Sequence, residues 1–303
     1  MKKRRKKKLP AVAVVGILLV TGCINLRDFM QDDTQGRAKQ ALTTTTASGE
    51  MDVTFFDVGQ GDCTLIQTEE ETMLIDAGNN HKGELVVQYL EDAGVEKLDY
   101  LVLTHPDADH IGGADNVIEN VEVETVLMPK VTNDTMTYEE VIEDIELYGI
   151  EVIHPETEEV YTLGDAEFMI LCPDVSVEKE NDLNNASVGI KLIHGENSFV
   201  LCGDAEEESE HEMVREFGSE LECDVLKCGH HGSATASSEE FLEATDPTWA
   251  VISCGEDNSY GHPHAEVLER LENDDVQTYR TDRLGTIRAV SDGENIRWSS
   301  ETK

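Results

Sequence analysis

Basic residues are scarce in this chain of 303 residues: 23 Lys and Arg stand against 64 Asp and Glu, which gives a net charge of −41 at pH 7. Seven of the basic residues fall within the first eight positions, so the rest of the chain has a net charge of about −48. A charge of this sign favours solubility and opposes association with anionic surfaces. It also argues against broad electrostatic binding of nucleic acid, which normally uses a basic face.

The N-terminal region lacks a hydrophobic run long enough to cross a bilayer. Its apolar segment, Ala11 to Val20, has about half of the ~20 residues that a membrane-spanning helix needs, so a transmembrane anchor is the weaker interpretation. The segment follows the basic residues and precedes Val20-Thr21-Gly22-Cys23, which resembles a bacterial lipobox. These features predict a lipoprotein signal peptide over residues 1–22, with cleavage before Cys23 and a lipid anchor on its sulfur. They also predict a flexible tether over 23–50 and a position on the outer face of the cytoplasmic membrane.

Closely spaced cysteine pairs are absent, and this argues against a zinc ribbon, whose ligands come as CxxC pairs. Besides Cys23 the chain has six cysteines, an even number that would permit disulfides in an exported protein. Most of them lie in apolar, strand-like runs, so we expect small buried core residues instead. The six are Cys63, Cys172, Cys202, Cys223, Cys228 and Cys254.

Short apolar runs and helical patterns alternate from Met51 onward, and no internal repeat is evident. This alternation predicts an α/β fold in which two mixed sheets are sandwiched between flanking helices. We expect one catalytic domain over residues 51–303. Strands are predicted at 53–56, 64–67, 73–75, 99–104, 124–128, 150–153, 166–171, 187–193, 198–202, 223–227, 248–253, 286–289 and 295–298. Helices are predicted at 84–92, 113–119, 137–147, 205–217, 238–244 and 264–271.

Residues 104–113 read Thr-His-Pro-Asp-Ala-Asp-His-Ile-Gly-Gly and gather four potential metal ligands within six positions. They follow an apolar run typical of a buried strand, and the two glycines allow a tight turn after them. The alternative is a polar turn in which Asp109 caps a helix. Capping would explain one carboxylate but not all four groups. The four potential ligands are His105, Asp107, Asp109 and His110.

A second strand-to-loop junction offers a carboxylate that could bridge two cations. Asp204 follows the apolar run 198–202, and a bridging carboxylate suits two ions about 3.5–4 Å apart. A helix N-cap is an alternative role for Asp204, and the two roles are compatible. The expected pairs on the two ions are His105 with Asp107 and Asp109 with His110.

Two histidine-rich loops follow the later strands. His230 and His231 lie between glycines, and adjacent side chains point in different directions, so we expect one to bind metal and the other to face substrate. We assign His231 to the metal and His230 to catalysis, while the reverse remains open. In Tyr260-Gly261-His262-Pro263-His264 we expect His262 on the substrate side and His264 as a general acid. Capping of the following helix is the alternative for this pair.

The ligand types predict two divalent metal ions. Carboxylates favour harder ions such as Mn²⁺ or Mg²⁺ and imidazoles suit Zn²⁺, and the carboxylate at Asp107 favours Mn²⁺. Such ions lower the pKa of a bridging water and stabilise an anionic transition state, so a phosphodiester is a natural substrate. Asp109 is predicted to be essential for this catalysis.

Together these motifs resemble the metallo-β-lactamase superfamily and, more narrowly, the extracellular hydrolase domain of the ComEC family of competence DNA-uptake proteins. The resemblance covers most of residues 51–300, and the motifs come in the family's order. It implies an αββα sandwich and a metal-dependent phosphodiesterase or nuclease. The motifs are Phe55-Phe56-Asp57-Val58-Gly59-Gln60-Gly61-Asp62, Leu74-Ile75-Asp76-Ala77-Gly78, the loop 104–113, Gly203-Asp204, His230-His231-Gly232-Ser233, Gly261-His262-Pro263-His264 and Arg280-Thr281-Asp282.

The resemblance also implies roles for individual residues, and the chain departs from the family's pattern in the metal loop and before the bridging Asp. Asp76 would support the metal loop. Asp107 stands where the superfamily has a second histidine. The usual histidine before the bridging Asp is absent, with 184–187 (Asn-Asn-Ala-Ser) in its place, so one ion is expected to be held weakly. The further residues expected on the substrate side are Asp57, Gln60, Asp62, Asn185, Ser187 and Ser233.

Three hypotheses for function follow from these observations. The first is a lipid-anchored phosphodiesterase, with DNA as one candidate substrate. The second is a metallo-hydrolase that acts on another extracellular substrate, such as a cell-wall phosphodiester, a nucleotide or an ester. The third is a surface binding module on a decayed hydrolase fold, which the intact ligand set argues against. The acidic charge weakens the DNA version, although bound cations could attract phosphate locally. No protein partner is evident, and we expect a monomer.

Overall fold

Two sheets form the centre of the computed structural model, which describes residues 47–173 and 182–301. The first sheet contains eight strands, in the chain order β1 (Met51–Phe55), β2 (Thr64–Gln67), β3 (Thr72–Ile75), β4 (Lys97–Val102), β5 (Glu122–Leu127), β6 (Glu151–Ile153), β14 (Ile287–Ser291) and β15 (Ile296–Ser300). Their order across the sheet is β15-β14-β1-β2-β3-β4-β5-β6. Strands β3 to β6 are parallel, and the others pair in antiparallel fashion.

The second sheet contains seven strands: β7 (Val160–Leu163), β8 (Ala166–Cys172), β9 (Gly189–His194), β10 (Asn197–Leu201), β11 (Val225–Lys227), β12 (Trp249–Ile252) and β13 (Gln277–Arg280). They lie across the sheet in the order β13-β12-β11-β10-β9-β8-β7. Strands β10 to β13 are parallel. Each sheet therefore has a parallel half, in which loops that follow the strands meet at one edge.

The helices are α1 (Gly83–Asp92), α2 (Ala108–Ile111), α3 (Ala114–Asn120), α4 (Met136–Tyr148), α5 (Glu207–Phe217), α6 (Glu239–Thr245), α7 (Ala265–Asn273) and α8 (Thr281–Leu284). Helices α1, α3 and α4 pack on the first sheet, and α5, α6 and α7 pack on the second. The alternation within β4 shows why both faces of the sheets are buried. Leu101 joins the cluster under the helices, and Val102 joins the cluster between the two sheets.

This architecture confirms the predicted α/β sandwich of two mixed sheets flanked by helices. Two strands, β7 and β13, were not expected from the sequence. The six cysteines after Cys23 are free and buried, as predicted. Within the described ranges, no helix is both long enough and apolar enough to span a membrane. The predicted signal peptide, Cys23 and the tether up to residue 46 lie outside the described residues and stay predictions, as does the boundary of the domain at residue 51.

Candidate metal centre

The predicted site residues gather where the parallel strands of both sheets end. Asp76 follows β3, and the metal loop follows β4. On the second sheet, Asp204 follows β10 and the histidine pair follows β11. The carboxyl ends of parallel strands share one edge of a sheet, which is where α/β proteins place their ligand sites. The fold therefore brings together residues that lie up to 155 positions apart in the sequence, from Asp76 to His231.

The metal loop turns directly into the short helix α2, which contains Asp109 and His110. Asp107 occupies the N-cap position without forming a capping hydrogen bond, and Asp109 lies in the first turn. Neither carboxylate is therefore consumed by capping, which argues against the polar-turn alternative. The backbone of the loop is also held in place, because the Asp109 carbonyl accepts a 3.1 Å hydrogen bond from the Asp62 backbone N–H.

Asp204 lies at the centre of the cluster. Its Oδ1 is 3.2 Å from His110 Nε2, and its Oδ2 is 3.5 Å from His231 Nε2. His231 Nε2 is also 3.4 Å from Asp109 Oδ2. Asp204 does not cap α5, because the N-cap position of that helix is Glu206. A position between imidazoles from both sheets makes Asp204 a candidate ligand, and its bridging role stays a prediction.

Several polar atoms of this cluster are buried and have no hydrogen-bond partner among the residues that the structure describes. They are the Nε2 atoms of His105, His110 and His231 and Oδ1 of Asp204. A buried polar atom without a partner is costly, and bound cations would satisfy these atoms. The donor set of imidazole nitrogens and carboxylate oxygens fits Zn²⁺, Mn²⁺ or another first-row divalent ion.

Two of the histidines are each held through Nδ1 by a buried acceptor, which is a carboxylate for His110 and a backbone carbonyl for His231. Asp76 Oδ2 lies 2.7 Å from His110 Nδ1, and the same carboxylate accepts hydrogen bonds from the backbone N–H and the hydroxyl of Thr104. His231 Nδ1 lies 3.0 Å from the Ser253 carbonyl, its hydrogen-bond acceptor, and 3.2 Å from Asp62 Oδ1. Such acceptors fix the imidazole orientation and leave Nε2 free for a metal. Asp76 thus lies where a support of the metal loop should be.

Asp62 lies deeper than its expected place on the substrate side. It is 2% exposed and forms an ion pair with Lys227, which is itself buried. Burial alone would raise the pKa of the Asp62 carboxyl, but the Lys227 ammonium and His231 hold that pKa below its usual range. Asp62 also offers an oxygen that lies within 4.8 Å of ligand atoms of His110, Asp204 and His231. Its contacts favour a role in orienting His231 over contact with substrate.

His105 and Asp107 form a poorer ligand set beside the first. His105 Nε2 is 3.8 Å from Asp107 Oδ2, and Asp107 is 40% exposed at its side chain. Burial and the neighbouring His110 lower the pKa of His105 to about 3, so its imidazole stays neutral. Ser187 is fully buried and lies behind this imidazole, with its hydroxyl 3.4 Å from Nδ1. Ser187 is therefore placed to hold His105 and does not face substrate.

Other residues expected on the substrate side are engaged in holding loops. The Asn185 side-chain oxygen accepts hydrogen bonds from the Glu206 and Ser209 backbone at 3.0 and 3.3 Å, at the start of α5. The Ser233 hydroxyl pairs with that of Thr235 at 2.9 Å. Both side chains are buried, so substrate contact is not supported for either. In the first turn, Gln60 Oε1 accepts from Gly255 N at 3.2 Å, and Asp57 Oδ1 accepts from Gly59 N at 3.2 Å.

The two adjacent histidines point in different directions, as the sequence predicted. His231 is buried in the cluster, and His230 is 25% exposed, with its Nε2 3.8 Å from Asp204 Oδ2. Both have positive φ angles, 47° and 55°. This left-handed backbone is unusual outside glycine and is kept where the surrounding structure requires it. The geometry supports His231 as the ligand and His230 as a group beside the reacting atoms.

Glu206 is a candidate functional residue that the sequence did not reveal. Its Oε1 lies 2.9 Å from His230 Nδ1 and also accepts hydrogen bonds from the Thr235 hydroxyl and the Asn184 amide. These hydrogen bonds, that of His230 foremost, lower the pKa of Glu206. The sequence offered one indication of its role, which is its position two residues after Asp204. That its side chain points toward His230 depends on how α5 packs.

The loop at 260–264 places His264 away from its predicted role, but it places His262 near the substrate side expected for it. His264 occupies the N-cap position of α7, and its Nδ1 accepts a 2.9 Å hydrogen bond from Ala234 N. Its Nε2 lies 3.3 Å from the Tyr260 carbonyl. Both ring nitrogens thus contact backbone, which does not support the general-acid role predicted for His264. The ring of His262 lies closer to the centre, 5.5 Å from that of His230 between centroids.

The electrostatics of the centre are set by its carboxylates. Burial opposes the charge on Asp204, but His110 and His231 hold its pKa well below the usual range. Burial likewise opposes a charge on His231, but Asp204 and Asp62 raise its pKa to about 10. The cluster thus stabilises positive charge strongly. A divalent cation would take the place of protons on these groups, so metal affinity should decrease as the pH falls.

Comparison with known proteins agrees with this fold. Residues 56–256, more than half of the chain, match the family model described as the metallo-beta-lactamase superfamily, and the chain belongs to that superfamily.

Within this superfamily, the chain is similar to competence proteins, as its motifs indicated. It is 33% identical over 258 residues to ComE operon protein 3 of Bacillus subtilis, covering 79% of this chain and 33% of the relative. It is 32% identical over 247 residues to competence protein ComA of Neisseria gonorrhoeae, covering 78% of this chain and 32% of the relative. The chain thus spans about a third of the length of these relatives.

A solved structure supports the fold alone. The chain resembles Igni18, a metallo hydrolase from Ignicoccus hospitalis, with a TM-score of 0.52 and 15% identity over 79% of this chain and 98% of that one.

Proposed function

We propose that this chain is a metal-dependent phosphodiesterase of the nuclease type that acts outside the cytoplasmic membrane. One observation supports this most strongly. Three buried imidazole nitrogens, on His105, His110 and His231, converge with Asp204 and have no hydrogen-bond partner among the described residues. A purely structural cluster would satisfy these atoms internally. A decayed binding module would have no need to retain them.

The candidate ligands of this chain would form two neighbouring metal sites. His110, His231, Asp109 and Asp204 would hold one ion, and His105 and Asp107 would complete a second site with Asp204. Two divalent ions there would supply an acidified water and stabilise the charge that develops on a phosphoryl group.

The protein itself supplies a proton carrier. Glu206 accepts the Nδ1 proton of His230, so the Nε2 of that ring faces the centre and can exchange a proton with the leaving oxygen.

A nucleic acid is the substrate that we favour within this class. The competence proteins named above support it, although they are about three times longer than the part they share with this chain. The net charge of −41 is the observation that supports the second candidate, a smaller substrate or one that is not a nucleic acid. We further propose that the protein is anchored by a lipid on Cys23, so that any substrate is met outside the cell membrane.

Metal dependence is the first test of this proposal. The protein is stripped with a chelator, and Mn²⁺, Mg²⁺ and Zn²⁺ are added back in parallel assays on bis-p-nitrophenyl phosphate, single-stranded DNA and double-stranded DNA. We expect no turnover without metal and the fastest turnover with Mn²⁺, because Asp107 adds a carboxylate to the ligands. Turnover by the metal-free protein would refute the mechanism. Cleavage of the small diester without any cleavage of DNA would favour a different extracellular substrate.

The Glu206→Gln variant tests the proposed proton carrier. The amide still accepts a hydrogen bond but no longer stabilises a protonated His230. Because general acid–base catalysis is worth about 10²–10⁴-fold, we expect kcat to fall roughly tenfold or more while metal content is unchanged. Glu207→Gln is the matched control, since that neighbouring side chain is 65% exposed. An equal loss in both variants, or none in either, would contradict the role of Glu206.

A further inference from the structure

Tyr260 is a large aromatic side chain that remains 65% exposed beside the metal centre. It belongs to the loop between β12 and α7, at the same edge of the sheet as the cluster. Its ring stacks on that of His262, with a centroid distance of 5.6 Å and an interplanar angle of 28°. The proposed mechanism uses neither ring, so their arrangement calls for another explanation.

The loop that presents Tyr260 is held by one side chain. The Asn258 amide nitrogen donates to the carbonyls of Gly255 and His262, at 3.0 and 2.6 Å. The Asn258 oxygen accepts from the backbone N–H groups of Tyr260 and His262, at 3.1 and 3.0 Å. An exposed ring on a backbone fixed in this way loses little conformational entropy when it binds a ligand.

The rings form a continuous row from the metal centre to the solvent. His262 is 9% exposed, and its ring centroid lies 5.5 Å from that of His230 and 6.3 Å from that of His231. Tyr260 extends this row outward. A phosphodiester bound at the metal centre would therefore have an aromatic surface beside it.

We propose that Tyr260, supported by His262, is a stacking subsite for a nucleobase of single-stranded nucleic acid next to the phosphate that is cleaved. This inference rests on the proposed phosphodiesterase function and specifies its substrate. Stacking suits this protein because it attracts a base without positive charge, and it tolerates any sequence, since every base has a flat face. Duplex bases stack on each other and offer no free face, so the subsite selects single strands or ends.

The test compares binding of two oligonucleotides to the full chain. A labelled oligothymidylate and an abasic oligomer with the same number of phosphates are titrated in Ca²⁺, and fluorescence anisotropy gives each Kd. The variants are Tyr260→Ala, Tyr260→Phe and the control Tyr148→Ala, whose ring is 54% exposed near the end of α4. Because stacking of a base on an aromatic ring contributes to the affinity for single strands, we expect Tyr260→Ala to weaken binding of oligothymidylate at least about fivefold. Binding of the abasic oligomer should not change.

Every result of this experiment either supports or excludes the stacking subsite. Tyr260→Phe and Tyr148→Ala should bind like the wild type. If the wild type binds both oligomers equally or neither, or if Tyr260→Ala binds oligothymidylate unchanged, the subsite does not exist. Failure of the phosphodiesterase proposal is seen separately, as absence of turnover of bis-p-nitrophenyl phosphate by the wild type with every metal. The binding comparison gives its answer in either case.

Discussion

Asp204→Asn is expected to reduce kcat/KM for a phosphodiester at least about a thousandfold, which corresponds to roughly 4 kcal/mol of transition-state stabilisation. Asp204 is 3% exposed and lies between His110 and His231, so its charge is central to the cluster. The amide has nearly the same shape but cannot bridge two cations or balance their charge. The measurement is steady-state hydrolysis of bis-p-nitrophenyl phosphate with Mn²⁺, together with metal content by mass spectrometry.

The control for this prediction is Asp274→Asn, an exposed carboxylate at the end of α7, which should retain both activity and metal. The metal content adds a second test. If the variant at Asp204 loses less than about one ion per chain and keeps its activity within tenfold, Asp204 does not bridge the two ions and the site must be reassigned.

Lys227→Met is expected to lower the free energy of unfolding by about 3–5 kcal/mol, the cost of leaving one partner of a buried ion pair alone. Lys227 and Asp62 are 3% and 2% exposed, and their charges are in direct contact. For a domain of this size the loss corresponds to a decrease in Tm on the order of 10 °C. Thermal unfolding of the metal-stripped protein, followed by circular dichroism, measures it without a contribution from bound ions.

Two comparisons decide whether the ion pair is responsible. The double variant Lys227→Met with Asp62→Asn should recover much of the loss, because neither charge is then buried alone. Lys97→Met removes a lysine that is 41% exposed and pairs with Asp99 and Glu124 on the surface, and it should lower the free energy of unfolding far less than Lys227→Met does. A double variant as unstable as Lys227→Met would mean that lost packing, and not lost charge, explains the effect.

The fold was largely predictable because its strands and helices have strong local patterns. Strand β4 and the loop after it show this best, since an apolar run leads directly into His105, Asp109 and His110. The two strands that were missed, β7 and β13, contain few buried positions. Such edge strands gain their regular structure from pairing with a neighbour, and this leaves little periodicity in the sequence.

The ligands were easier to predict than the residues that hold them. The spacing of residues within one loop identifies potential ligands. Whether a side chain is buried depends on how the two sheets pack. Asp62 and Asn185 looked like residues at the mouth of the site, yet both are buried. The partnership of Glu206 with His230 joins α5 to the loop after β11. No local sequence pattern predicts a contact between two such segments.

The candidate ligands of the metal centre come from both sheets of the sandwich. His105, Asp109 and His110 come from the first sheet, and Asp204 and His231 come from the second. A cation bound to both groups is a cross-link between the two layers of the sandwich. By mass action, an ion present at a hundred times its Kd would add about 2.7 kcal/mol to the free energy of unfolding. The protein's resistance to unfolding would then follow the metal content of its surroundings, and scarcity of the ion would weaken the fold along with the chemistry.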